Sequence, residues 1–256
     1  MISNSGFACS KSIKGLRAKT AETTTNAAKA SWGSRFKTYS STPNMDRPGV
    51  YVDLAANDYR YISNSYFADH CLKFDGVCIE PNNEYWGNLD KKRRCAVVKT
   101  CIAEKKREVK FRMKGVFGGV SGEMMADKRA QGGKETTLTC ETLAEIFRKF
   151  RIKHVDFLSL DVQGLELQCL QGIEWSAAAP TIDTVLVERN DAGSVAEFLR
   201  AHGYVNATTL RKDAVFVHKS ADAMMQRVAQ WNRDMCPRIN DALRSLRKGG
   251  DLYPCS

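Results

Sequence analysis

Between residues 49 and 218, short apolar runs alternate with stretches of helical period, and several of the runs end on an acid. Gly49-Val50-Tyr51-Val52-Asp53-Leu54 is the first, and its nearly continuous apolar character predicts a buried parallel strand. Gly76-Val77-Cys78-Ile79-Glu80-Pro81 repeats the form, with a helix expected before it over Ser63 to Phe74 and another after it over Asn82 to Lys92. A third strand is expected over Cys95 to Ala103, and strict alternation predicts a short additional strand over Glu108 to Met113. Leu143, Ile146, Phe147 and Phe150 then fall at i, i+3, i+4 and i+7, the stripe of an amphipathic helix packed on a core.

Val155 to Asp161 and Thr184 to Glu188 supply the fourth and fifth strands of this series, with a helix starting over Leu165 to Leu170 between them. A helix over Val195 to His202 ends at Gly203, in the position of a C-terminal cap. Val205–Thr209 and Ala214–Val217 read as a closing antiparallel hairpin. This order predicts an α/β fold: a doubly wound, mainly parallel sheet with helices on both faces.

Three stretches follow: a head over residues 1–45, a main domain over 46–220 and a C-terminal helical extension over 221–256. In the extension, Met224, Val228, Trp231 and Met235 lie at helical spacing, and Pro237 starts a second short helix. This stripe is expected to dock on the domain. Gly115 to Lys134 holds six glycines and no helical period, and is expected to be a loop, either a lid that closes over a site or a disordered insertion.

The net charge of +10 at first points to a nucleic-acid partner. Seven of the 39 basic residues and one of the 29 acids lie in residues 1–42, which leaves 32 basic and 28 acidic residues for everything else. The body is nearly balanced, so its charge argues for no nucleic-acid partner. The head is basic and rich in Ser and Thr, poor in large apolar groups, and expected to be disordered. Its composition resembles an organelle transit peptide, so a cytoplasmic or organellar location is expected. No run approaches the length of a membrane span.

The nine cysteines are odd in number and lack any C-x-x-C pair, so neither a zinc site nor a redox dithiol is indicated and no metal is expected. They read as free thiols in a reducing compartment. His154 opens the fourth main strand at the end away from Asp161 and reads as structural.

In open parallel sheets, ligands bind beyond the carboxyl ends of the strands. Asp53, Glu80, Asp161 and Glu188 all stand at such predicted ends. Glu80 closes the second strand, where an acid accepts hydrogen bonds from a ribose diol. The loop after the first strand, Ala55-Ala56-Asn57-Asp58-Tyr59, has no glycine, and the chain has no P-loop. Small side chains there admit a nucleoside with no pyrophosphate to cradle. That fits S-adenosylmethionine better than a nicotinamide dinucleotide.

VDFLSLDVQGLELQCLQGIEW (155–175), followed by TVLVERND (184–191) and HGY (202–204), resembles the methyltransferase family called FkbM. YVDLAANDYRYISNSYFAD (51–69) and GVCIEPNNEYWGNL (76–89) resemble its cofactor-binding half. The resemblance implies a Rossmann-like fold that binds S-adenosylmethionine at the sheet's carboxyl edge. By it, Asp53, Ala55, Asn57 and Asp58 would line the methionine end of the cofactor, and Glu80 would bind the ribose. Asp161 would join them and face the methyl-transfer site as the first candidate for a catalytic base, with Glu188 and Glu166 behind it. No [DN]-P-P-[YF] follows the fourth strand, which by analogy favours O-methylation of a sugar or small-metabolite hydroxyl over transfer to an amino group. Ala55 and Tyr59 replace glycines common in the family, and Gln163 replaces its usual Glu. These departures support a competing expectation, a catalytically degenerate fold that binds or regulates.

Overall fold

Val50–Leu54 (β1), Asp75–Ile79 (β2) and Ala96–Val98 (β3) pair side by side in parallel, with Tyr51 beside Gly76 and Val77 beside Ala96. This computed structural model describes residues 48–122, 132–188, 192–210 and 213–234. The chain divides into two units, one ending at Lys99 and one beginning at Thr100. The basic head, the centre of the expected glycine-rich loop and the second C-terminal helix lie outside the described residues.

In the first unit, Tyr51, Val52, Asp53 and Leu54 are all buried, as a parallel strand covered on both faces requires. Gly76 admits the Tyr51 ring against β2, since a Cβ there would lie 2.1 Å from it. Helix α1 covers only Tyr66–His70, shorter than the expected Ser63 to Phe74. Helix α2, Asn83–Lys92, starts where the Asn82 side chain accepts the Glu84 amide at 3.1 Å, a conventional N-cap. The third strand ends at Val98 rather than Ala103.

Beneath these strands Arg93, 7% exposed, finds an acceptor for each of its five N–H groups. Its Nε donates to Asp69 at 2.6 Å, one Nη to Ser63 Oγ and the Tyr59 carbonyl, and the other to the Tyr51 hydroxyl and Ser65 Oγ. Ser65 in turn donates to Asp53 through a short hydrogen bond. A buried guanidinium is tolerable only when satisfied in this way.

In the second unit, His154–Leu160 (β7) and Thr181–Glu188 (β8) run parallel. Asp213–His218 (β10) pairs antiparallel with β8 and with Tyr204–Leu210 (β9), giving the expected closing hairpin. Leu143–Lys149 (α3) begins with a reciprocal capping box between Thr142 and Glu145. Glu166–Gln171 (α4) and Ala192–Ala201 (α5) follow, and Gly203 takes a φ of +85° just beyond α5. Asp222–Asp234 (α6) docks on the hairpin, with Asn232 Nδ2 donating to the Ala207 carbonyl at 2.9 Å. The parallel ladders, intervening helices and closing hairpin make the mixed α/β, Rossmann-like fold that the pattern predicts.

Two expectations need correction. Gly115 to Lys134 is not all loop: Gly119–Val120 (β5) joins Arg107–Met113 (β4), and Lys134–Cys140 (β6) completes a three-stranded antiparallel sheet in the order β5-β4-β6. The sequence hides β6 because its outward positions are Lys, Glu and Thr. Val109, Phe111, Val120 and Cys140 of this sheet pack with Leu165, and Val162 leans on the same cluster. The small sheet therefore supports the loop that follows β7. Nor are the described cysteines all free thiols. Cys78 is bonded to Cys95 and Cys101 to Cys140, Cys71 is also in disulfide form, and Cys169 is a buried free thiol. Pairing follows from strand neighbours in space, which odd count and linear spacing do not reveal.

Candidate functional site

The predicted cofactor residues of the first unit gather at the carboxyl ends of β1 and β2. Glu80 is 2% exposed, and its two oxygens accept the backbone amides of Asn57 at 2.8 Å and Asn82 at 2.7 Å. Each carboxylate oxygen has a second lone pair left for an outside donor. Burial dominates over these two bonds and, with Asp53 nearby, pushes the Glu80 carboxyl up to about 7.

The Asn57 amide reaches Glu80 because the loop turns twice through left-handed backbone, with φ of 53° at Ala55 and 52° at Asn57. Asn tolerates that region, and its Nδ2 donates to the Ala55 carbonyl at 2.8 Å. Ala does not favour it, so residue 55 is a position where glycine fits better. Asp58 Oδ1 accepts the amides of Arg60 and Tyr61 at 2.9 and 2.7 Å and holds the next turn. Asp53, by contrast, is buried and engaged with Ser65, which is itself tied to Arg93. Ala55, Asn57 and Glu80 thus form one cluster, while Asp53 anchors the strand end beneath it.

The second unit carries another cluster at the ends of β7 and β8. Gln163 Nε2 donates to Glu188 Oε2 at 3.0 Å and lies 3.4 Å from Asp161 Oδ1. Gln163 has a φ of 60° and is followed by Gly164 at 104°, so the turn after the strand folds the amide back over both acids. Burial, then the charge and hydrogen bond of Asp161, hold the Glu188 carboxyl well above the usual range. Glu166 is fully buried, and its Oε1 accepts the amides of Val162 and Gly164, both at 3.2 Å. Burial raises its pKa as well. Asp161, Gln163 and Glu188 are brought together, and Glu166 braces their loop from below.

Arg93 is the residue that sequence reasoning missed. It stands at the end of the expected helix, in the run Lys91-Lys92-Arg93-Arg94, and nothing in linear spacing singles it out.

Acids at the carboxyl ends of parallel strands, above left-handed turns, are the ligand sites of the Rossmann-like α/β class. The chain belongs to the FkbM methyltransferase family: residues 53–205 match the family's methyltransferase FkbM domain, a span that holds every candidate site residue. No curated protein and no solved structure matches the chain. It is a methyltransferase by family, and among the described residues no helix is long and apolar enough to cross a membrane.

Proposed function

We propose that this methyltransferase uses S-adenosylmethionine and transfers its methyl group to a hydroxyl of a sugar or small metabolite. The observation that carries the reading is Glu80: a buried carboxylate at the end of the second strand, fixed by two backbone amides and with one acceptor position left on each oxygen. A ribose diol offers the two O–H donors that such a group lacks. The small Ala55 side chain and the left-handed turn at residues 55–57 suit close approach of the methionine portion. Asn57 and Asp58 would flank it, and Asp53 would position the turn through the strand end.

When bound, the cofactor supplies an electrophilic sulfonium methyl, so the protein's contribution is orientation and proton handling. Asp161 is the proposed base, accepting the proton of the acceptor hydroxyl as it is methylated. Glu188 faces Asp161, and burial together with the Asp161 charge holds the Glu188 carboxyl above its ordinary range. A general base positioned at the reacting hydroxyl contributes roughly 10²–10⁴-fold. Gln163 orients the pair by its amide, and Glu166 holds the loop.

The competing reading, a binding or regulatory protein without turnover, draws on Gln163, a neutral amide beside this pair where the family's usual Glu would carry a charge. For location, the disulfides support an oxidising compartment over the cytosol. Calorimetry with S-adenosylhomocysteine tests the carrying observation. Glu80→Ala in a folded protein should lose roughly 1.5–3 kcal/mol of binding free energy, the worth of hydrogen bonds to a charged group. Unchanged affinity would remove Glu80 from the cofactor site.

A further inference from the structure

A second cluster of ligating side chains lies on β7 and β8 at the ends opposite Asp161 and Glu188. The ladder sets His154 beside Thr181 and Val155 beside Ile182. With the two-residue period of strands, His154 and Asp156 share one face of β7, and Thr181 and Asp183 share the matching face of β8. Asp156 and Asp183 are therefore neighbours across the two strands. Like charges in that relation repel, and the Asp156 side chain is only 2% exposed, so positive charge between the two acids is favourable, whether it comes from a protonated His154 or from a metal ion.

His154 faces both acids. Its Nε2 lies 3.4 Å from Asp156 Oδ1 and 3.4 Å from Asp183 Oδ2. This atom is buried yet makes no hydrogen bond, and both separations exceed the ~2.7–2.9 Å of a charge-assisted N–H···O contact. They match a different geometry. Two donor atoms bonded to one tetrahedral ion at about 2.0–2.2 Å stand about 3.4 Å apart. The ligand atoms of all three residues lie within 4.8 Å of one another. On the far side of the ring, His154 Nδ1 is 2.6 Å from Thr181 Oγ1, the outer partner that fixes a ligating imidazole.

We propose that His154, Asp156 and Asp183 form a site for one first-row divalent transition-metal ion, with zinc as the reference ion. One imidazole with two carboxylates suits zinc or manganese, whereas calcium and magnesium prefer oxygen alone. Three protein ligands leave a coordination position open, and the quarter-exposed His154 and Asp183 side chains give access to it. Cysteine spacing gives no hint of the site because its ligands meet only through the strand register. An ion here would clamp together the two strands whose far ends carry Asp161 and Glu188.

The test uses the full chain, stripped with a chelator and titrated with zinc chloride by calorimetry, with melting temperature followed in parallel. Wild type should take up zinc with a rise in melting temperature. Asp183→Asn, at a partly exposed position, should bind that equivalent more than about tenfold more weakly, since even outer-shell changes cost that much. His154→Gln should do the same, and serves if the first variant does not fold. Absence of zinc uptake by wild type, or wild-type affinity in a folded variant, overturns the proposal and leaves an imidazolium ion pair with the two acids. Because the readout is zinc and not methyl transfer, failure here is separable from failure of the proposed activity.

Discussion

If Glu80 accepts the ribose diol, cofactor binding must be linked to a proton. The free protein holds this carboxyl up to about 7 because burial outweighs its two amide hydrogen bonds. Two hydroxyl donors satisfy the ionised form, so the ligand selects the deprotonated protein. With a pKa near 7, roughly nine-tenths of the protein is competent at pH 8 and roughly one-tenth at pH 6. Affinity for S-adenosylhomocysteine should therefore be about tenfold weaker at pH 6 than at pH 8. Calorimetry in two buffers of different ionisation enthalpy should show close to one proton released on binding at pH 6. Stability carries the opposite sign to the usual carboxylate. Between the ordinary Glu value and about 7, the folded state binds the extra proton, so stability of the free protein falls as pH rises through that window. Glu80→Gln cannot ionise and should flatten both profiles. Equal affinity at pH 6 and pH 8, or a slope that survives in Glu80→Gln, would refute the reasoning.

Three further outcomes follow from the same residues. Ala55→Gly relieves a left-handed alanine and should raise stability by about 1 kcal/mol, read as a shift in urea midpoint without a change in slope. Arg93→Met leaves the buried Asp69 carboxylate without its partner and should cost about 3–5 kcal/mol, large enough to show in thermal melts. Full reduction should lower stability: closing loops of 17 and 39 residues constrains the unfolded chain by about 3 and 4 kcal/mol respectively. A melting temperature indifferent to dithiothreitol would contradict the two bonds.

The alternation of apolar runs and helical stripes made the parallel strands and closing hairpin legible, because strands buried on both faces announce themselves by composition. Glu80, Asp161 and Glu188 were legible for a related reason: each ends such a run. The three-stranded sheet was not. Residues 134–140 present mainly polar side chains outward and bury chiefly Leu138 and Cys140, too few to mark a strand. Arg93 and the disulfides were hidden because their partners lie 24 and 17 or more positions away. The left-handed turn at Ala55 was masked as well, since the residue type that signals such a turn is absent. The support that Glu166 gives its loop comes from its hydrogen bonds to the Val162 and Gly164 amides, which no spacing reveals.

Methyl transfer itself is the most direct test of the central claim. Full-length protein incubated with tritiated-methyl S-adenosylmethionine and a panel of sugars, glycans and small hydroxylated metabolites should label at least one acceptor at a hydroxyl. Asp161→Asn should reduce that labelling by about 10²-fold or more while leaving S-adenosylhomocysteine affinity within a few-fold, as loss of a base acting at the reacting atoms requires. Cofactor binding with no labelled acceptor in the panel would instead favour the silent binding protein. Full labelling by Asp161→Asn would contradict the assignment of the base.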